Sequence, residues 1–108
     1  MTAFTVERNP NGDAMRVVVS GELDMATGPR LEEELRRAQA GGHREVVLDL
    51  TGVTFFDSTG LQVVLDAEVR AREGGQELLI VVAADGEPLR VLRLAEVTDR
   101  LRISETGG

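Results

Sequence analysis

The spacing of apolar and polar positions changes period several times along the chain, and each change marks an element. Phe4-Thr5-Val6-Glu7 alternates apolar with polar, and Met15-Arg16-Val17-Val18-Val19-Ser20 is rich in β-branched residues, so both read as strands. Asn9-Pro10-Asn11-Gly12 between them is a turn signal, and the pair predicts an antiparallel hairpin. Beyond Gly21-Glu22-Leu23-Asp24 the period becomes helical, with Leu31, Leu35 and Ala38 on one face. Thr27 is placed as its N-cap, Pro29 lies in its first turn and Gly41-Gly42 stops it. Glu45 to Leu50 is a short apolar run that reads as a buried strand. Thr51 to Asp57 reads as a loop. A second helix opens near Ser58 or Thr59, carries Leu61, Val64, Leu65 and Val69 at helical spacing, and closes at Gly74-Gly75. Leu78 to Val82 is the next buried strand, and Asp85-Gly86-Glu87-Pro88 opens a shorter helix with Leu89, Val91, Leu92 and Leu94. Leu101-Arg102-Ile103 forms a last strand, and Ser104 to Gly108 reads as a frayed tail. Strands alternating with helices after a hairpin predict one α/β domain over residues 1–108. It should have a mixed sheet and about three to four helices packed on it.

Composition narrows the chemistry. Apolar residues make up 42% and charged residues 29% of 108 positions, as in an ordinary folded domain. Cysteine is absent, which excludes disulfides, thiolate metal sites and cysteine nucleophiles, and one histidine cannot build a multi-histidine metal site. All 12 basic residues are arginine. Mechanisms that need a lysine, such as a P-loop clamp, a Schiff base or a receiver-type acyl-phosphate site, are therefore excluded. The net charge of −7 argues against nucleic acid or an anionic membrane as partner, and three phenylalanines cannot build a base-stacking platform. No run approaches the roughly 20 apolar residues needed to span a bilayer, and no secretory pattern opens the chain, so a cytoplasmic location is expected.

The informative segment runs from Val46 to Leu65, where a buried strand leads to Asp57-Ser58-Thr59-Gly60 at a helix start. In open α/β sheets, ligands and partners meet the loops beyond the carboxyl ends of parallel strands. Ser58 stands at such a place, and the helix N-terminus there favours an anion, so its phosphorylation would be tolerated. Capping alone also accounts for this run, since Asp57, Ser58 and Thr59 are all good N-caps. Phe55 and Phe56 are adjacent and cannot both face the core, so one is expected at the surface. Asp24, Asp49 and Asp57 invite a Mg²⁺ reading, but the residues that would complete such a site are missing. Asp49 is read as ending a strand or capping a turn. His43 is read as a solvated loop residue. Glu32-Glu33-Glu34 with Arg36-Arg37 form a solvated helix face, and Arg70 and Arg72 are surface residues.

Taken together, Gly21-Glu22-Leu23-Asp24, Val47-Leu48-Asp49-Leu50 and Val53-Thr54-Phe55-Phe56-Asp57-Ser58-Thr59-Gly60-Leu61 resemble the STAS domain, specifically the bacterial anti-sigma factor antagonists. The resemblance covers nearly the whole chain. It implies a non-enzymatic partner-switching protein of transcription regulation, without cofactor, metal or catalytic residues. Ser58 would be the phosphoacceptor of an anti-sigma factor that is also a serine kinase. The unphosphorylated form would bind that kinase and free the sigma factor, and a PP2C-type phosphatase would reset it. The resemblance also puts Asp24, Asp57, Thr59, Gly60 and Leu61 on the partner-binding surface. An alternative within the same resemblance is a non-switching STAS subunit of a lipid-transport or sensory-scaffold complex. Two positions depart from the family's usual pattern: only five residues follow Ile103 where a final helix is common, and the third helix ends in Ala95-Glu96-Val97 where a Gly-Leu pair is common.

Overall fold

Five strands form one mixed sheet in the computed structural model, which describes residues 3–106. In chain order the elements are β1 (Thr5–Asn11), β2 (Ala14–Leu23), α1 (Gly28–Ala40), β3 (Glu45–Phe56), α2 (Ser58–Glu73), β4 (Glu77–Ala83), α3 (Glu87–Leu94), a 3-10 turn (Thr98–Arg100) and β5 (Arg102–Thr106). Strand order follows chain order; β1 is antiparallel to β2, and β2 to β5 are mutually parallel. This is the single α/β fold with a mixed sheet and three α-helices that the periodicity predicts. All three helices join one core against the same alternating strand face, namely Val17 and Val19, Val46, Leu48 and Leu50, and Leu78, Ile80 and Val82.

Three boundaries differ from the sequence reading, each for a local reason. The hairpin turn comes later than the Asn-Pro-Asn-Gly signal: Asn11 pairs with Ala14, and Gly12-Asp13 make the corner with Gly12 at φ 61°. Pro10 is tolerated inside β1 because β1 is an edge strand with one row of backbone groups unpaired. Residues 51–56 are strand, not loop. Between Val18/Ser20 and Gly21/Glu22 of β2, the partner strand β3 advances one extra residue each time, so β3 carries two bulges. Its buried apolar positions therefore run 46, 48, 50 and then 53 and 56, a spacing that no longer looks like a strand. At the other end β5 continues through Ser104, Glu105 and Thr106, which pair with Val81, Val82 and Ala83. The expected fraying gives way there to main-chain pairing; Gly107 and Gly108 lie outside the described residues.

The helices show how their own ends are set. Along α2 the buried stripe is Gly60, Val63, Val64, Ala67 and Ala71, with Leu61, Leu65 and Val69 half-buried at its margins. Small residues face α1 because the two helices pack closely. Both α2 and α3 end in Schellman motifs. In α2, Gly75 at φ 69° bonds to Arg72 O while Gln76 N bonds back to Ala71 O at 2.8 Å. In α3 the corresponding residue is Glu96 at φ 58°, with Glu96 N on Arg93 O at 3.0 Å and Val97 N on Leu92 O at 3.3 Å. Leu92 and Val97 are both buried, so the apolar contact of the motif is kept although a glutamate holds the glycine position.

On the helix-free face Asp49 is buried in mid-strand. Its carboxylate takes the Arg16 guanidinium on one oxygen, and on the other the Thr51 amide at 2.9 Å and hydroxyl at 2.7 Å. Burial pushes this carboxyl up, but the Thr51 hydrogen bonds and the Arg16 charge outweigh it and hold the group below the usual carboxylate range. Asp49 is thus a sheet residue rather than a strand end.

Two predictions follow from these contacts. A non-glycine residue in the left-handed region costs roughly 1–2 kcal/mol, part of which glycine returns as unfolded-state entropy. Glu96→Gly should therefore raise stability by about 0.5–1 kcal/mol in urea unfolding. Because the folded pKa of Asp49 is depressed below the ordinary 3.8 of a free aspartate, its ionic contribution is present above that value and is lost as pH falls through the folded pKa. The stability gap between wild type and Asp49→Asn should accordingly be constant from pH 7 to about pH 5 and shrink as the pH is taken below the free value. A gap independent of pH would contradict the assignment.

Candidate functional site

The register Leu23↔Phe56 between parallel β2 and β3 decides which loops meet. Each strand ends there, so the β2–α1 loop with Asp24 and the β3–α2 junction with Asp57-Ser58 leave the sheet side by side. The two helix N-termini are then pressed together. A Cβ on Gly28 would stand 2.6 Å from Thr59 Cγ2, and one on Gly60 would stand 2.9 Å from Phe56 Cε1 and 3.0 Å from Leu23 Cδ2. Glycine at both positions is what allows this approach.

Asp57 is the N-cap of α2. Its Oδ1 accepts from the amides of Thr59 at 2.9 Å and Gly60 at 3.4 Å, and its carbonyl accepts from Leu61 N at 3.0 Å. Ser58 follows as the first residue of the helix, with its side chain exposed. The Thr59 and Gly60 amides that follow it are already held by the Asp57 carboxylate, at a helix end whose dipole favours an anion. Thr59 is half-buried against Gly28, and Leu61 is half-buried on the core margin. Gly60 is buried and serves packing rather than contact.

Asp24 has an equally local task. Its Oδ1 accepts from the amides of Ala26 at 2.9 Å and Thr27 at 3.2 Å. The Thr27 hydroxyl donates to Glu22 O at 2.7 Å and accepts from Asp24 N at 3.0 Å. Thr27 stands at the N-cap position of α1, but its hydroxyl is spent on this turn rather than on the helix amides. Asp49 lies seven residues before the end of β3, about 23 Å along an extended strand, so it does not join Asp24 and Asp57. Among the described residues no group of three or more His, Asp or Glu side chains is placed to hold a metal ion.

Several residues carry more than the sequence suggested. Phe56 is buried and Phe55 is exposed, as their adjacency requires. Arg70 is not a plain surface residue. It reaches α1, donating to Gln39 Oε1 at 2.9 Å and Glu32 Oε2 at 2.7 Å. Arg72 is exposed and pairs only with Glu68 one turn away. His43 is half-buried beside Gly41. The Glu32–Arg36 and Glu33–Arg37 pairs form one turn apart, as expected, while Glu34 also reaches Arg8 across to β1. These long-range pairings had no signal in the local sequence.

Comparison with known proteins supplies the context for this geometry. A family model described as "Mlab, STAS domain" matches residues 6–103. The chain is 32% identical over 105 residues to the anti-sigma-B factor antagonist of Staphylococcus aureus (strain NCTC 8325 / PS 47), covering 94% of each. An anti-sigma factor antagonist from Mycobacterium paratuberculosis superimposes with a TM-score of 0.84 at 24% identity, over 94% of this chain and 85% of that one. The anti-sigma factor antagonist SpoIIAA shares the fold in its unphosphorylated form (TM-score 0.75, 15% identity, 97% and 89% covered). It does so too as the Bacillus cell fate determinant in its phosphorylated form (TM-score 0.71, 16% identity, 97% and 92% covered).

The packing at the site generates its own test. Gly60→Ala forces a methyl against Phe56 and Leu23 and should destabilise the domain by about 1–3 kcal/mol. Gln62→Ala, on the exposed side of the same helix, should stay within about 0.5 kcal/mol. Denaturant titration of both variants checks the contrast.

Proposed function

The chain belongs to the STAS-domain family of anti-sigma factor antagonists, and from that premise we propose that it is a phosphorylation-governed binding module. The unphosphorylated form binds an anti-sigma factor serine kinase and so releases a sigma factor. Phosphorylation of Ser58 ends that binding, and a PP2C-type phosphatase restores it. The protein acts by binding, without catalysing a reaction, in the cytoplasm. Among the described residues no helix is long and apolar enough to cross a membrane.

The observation that carries this reading is the placement of Ser58. It is an exposed hydroxyl at the first residue of α2, on the surface formed by the β2–α1 loop and the β3–α2 junction. Asp24, Asp57, Thr59 and Leu61 lie on the chain segments that meet there. A phosphate adds a charge of about −1.5 to −2. With Asp57 already on the Thr59 and Gly60 amides, those two donors are closed to that charge, which faces the partner. Desolvating it there costs several kcal/mol, and every 1.4 kcal/mol weakens binding tenfold. The switch is thus local repulsion and desolvation, with the backbone nearly unmoved.

A second reading, a STAS subunit in which Ser58 is not a switch, is supported by the family model's naming of Mlab. One set of measurements separates the two. The chain is incubated with ATP and each purified anti-sigma factor kinase of its source organism, the modified residue is mapped, and binding is titrated. Phosphate is expected on Ser58 alone. Ser58→Ala should bind and resist phosphorylation. Ser58→Asp should lose binding while staying folded, since altering a helix-end residue costs only ~0.5–2 kcal/mol. Phosphate on Thr54 or Thr59 with Ser58 unmodified, or wild-type affinity in Ser58→Asp, would sink the switching reading. Amide NMR shifts on phosphorylation should stay confined to the neighbourhood of Ser58.

A further inference from the structure

Large apolar side chains are seldom left in water, and three stand out among the described residues: Met25 at 80% exposure, Leu94 at 70% and Phe55 at 43%. Leu94 ends α3. That helix starts at the carboxyl end of β4 and runs back along the sheet, so Leu94 is carried away from Ser58. Met25 and Phe55 are not. Leu23 pairs with Phe56, and Met25 and Ser58 each lie two residues beyond that pair on neighbouring parallel strands. Phe55 pairs with Glu22 one step below. The exposed serine and these two exposed apolar side chains therefore share this end of the sheet.

The Met25 position is built rather than loose. The Asp24 carboxylate holds the Ala26 and Thr27 amides, and the Thr27 hydroxyl ties Asp24 N to Glu22 O, closing a tight turn with Met25 at its tip. Asp24 thereby spends one carboxylate oxygen inside the turn. Phe55 is fixed by the second bulge of β3, which turns Phe56 into the core and leaves its neighbour outside.

We propose that Met25 and Phe55 are the apolar anchors of the anti-sigma factor contact, seated in an apolar hollow of the kinase, and that Asp24 is a positioning residue that presents Met25. The proposal rests on the binding reading given above and deepens it. Anchors of this kind dominate binding when they are desolvated at the centre of an interface, with other contacts excluding water around them. It also gives the phosphate its effect. A phosphoryl group on Ser58 would stand at the same end of the sheet as two side chains that enter an apolar hollow, where its hydration cannot be replaced. Thioether and aromatic groups suit such a hollow, because the ring supplies a large rigid contact area and the polarizable thioether adapts to an irregular one.

The test titrates the unphosphorylated full chain and its variants against the purified kinases named above by calorimetry, with thermal unfolding of each variant in parallel. Met25→Ala and Phe55→Ala should each weaken binding about tenfold or more with little change in thermal stability. Met25→Glu should abolish binding with no phosphate present. Asp24→Asn keeps an oxygen that can accept from the Ala26 and Thr27 amides and should bind within about threefold of wild type, whereas Asp24→Ala should lose about tenfold. Binding by Met25→Ala and Phe55→Ala within about twofold of wild type, with Ser58→Asp still inactive, overturns the anchors and leaves the switch intact. Asp24→Asn as weak as Asp24→Ala overturns the positioning role in favour of a direct charge contact. Failure of the wild-type chain to bind any of the kinases overturns the functional reading and this proposal together.

Discussion

The meeting of the α1 and α2 N-termini is the constraint on which the rest of the molecule depends. Two parallel strands end in register at Leu23 and Phe56, and the chain must leave both ends within one strand spacing. Two helices started so close together collide unless side chains are removed. Gly28 against Thr59, and Gly60 beneath Phe56 and Leu23, remove them. The small-residue stripe of α2 then continues the same close approach along the interface through Ala67 and Ala71 to Arg70, which locks the helices through Glu32 and Gln39. In this polar lock Gln39 accepts from Arg70, donates to Ala67 O, and offers its own carbonyl to Gln76, while Arg70 Nη2 is left buried without a partner among the described residues. Buried polar groups arranged this way add specificity of packing, since breaking one partner strands the others.

Order of elements and fold class were legible because periodicity reports burial on one face, and the helices and buried strands obey it. Leu31, Leu35 and Ala38 face the core as their spacing requires. What failed was every feature in which the backbone departs from its ideal period. Two bulges in β3 turned the strand from 51 to 56 into an apparent loop, because a residue inserted twice shifts the buried set from every second position to every third. The last strand was cut short at Ile103, since Ser104, Glu105 and Thr106 carry no apolar signal; their place is secured by main-chain pairing to β4. The Ala95-Glu96-Val97 ending shows the opposite case. A residue that looks wrong locally keeps the full helix-ending motif, because Val97 supplies the apolar contact and Glu96 tolerates the left-handed strain.

The candidate site was legible in its residue types but not in their tasks. Asp24, Asp57 and Ser58 are adjacent to the correct strand ends, and the motif alone locates them. Tasks depend on which lone pairs are already used, and no local pattern records that. Asp57 and Asp24 turn out to be fasteners of two neighbouring turns, Gly60 is a packing residue, and Ser58 is the one exposed member of the Asp57–Gly60 run.

That division of labour would let the proposed switch sit on so rigid a platform. A phosphate that displaced Asp57 from the Thr59 and Gly60 amides would exchange one anion for another at the same helix end. The dipole energy gained and lost would nearly cancel, and the displaced carboxylate would be left beside a like charge. Staying outside costs the free protein little, because the group keeps its hydration. The lower-energy course for the isolated domain is therefore to leave both turns fastened and carry the phosphate on the surface. The penalty is deferred until a partner tries to exclude water from that surface. A switch of this design needs no alternative conformation of its own. It needs only a fixed hydroxyl in a place where partner binding excludes water, which is the role proposed above for Ser58 at the close-packed helix ends.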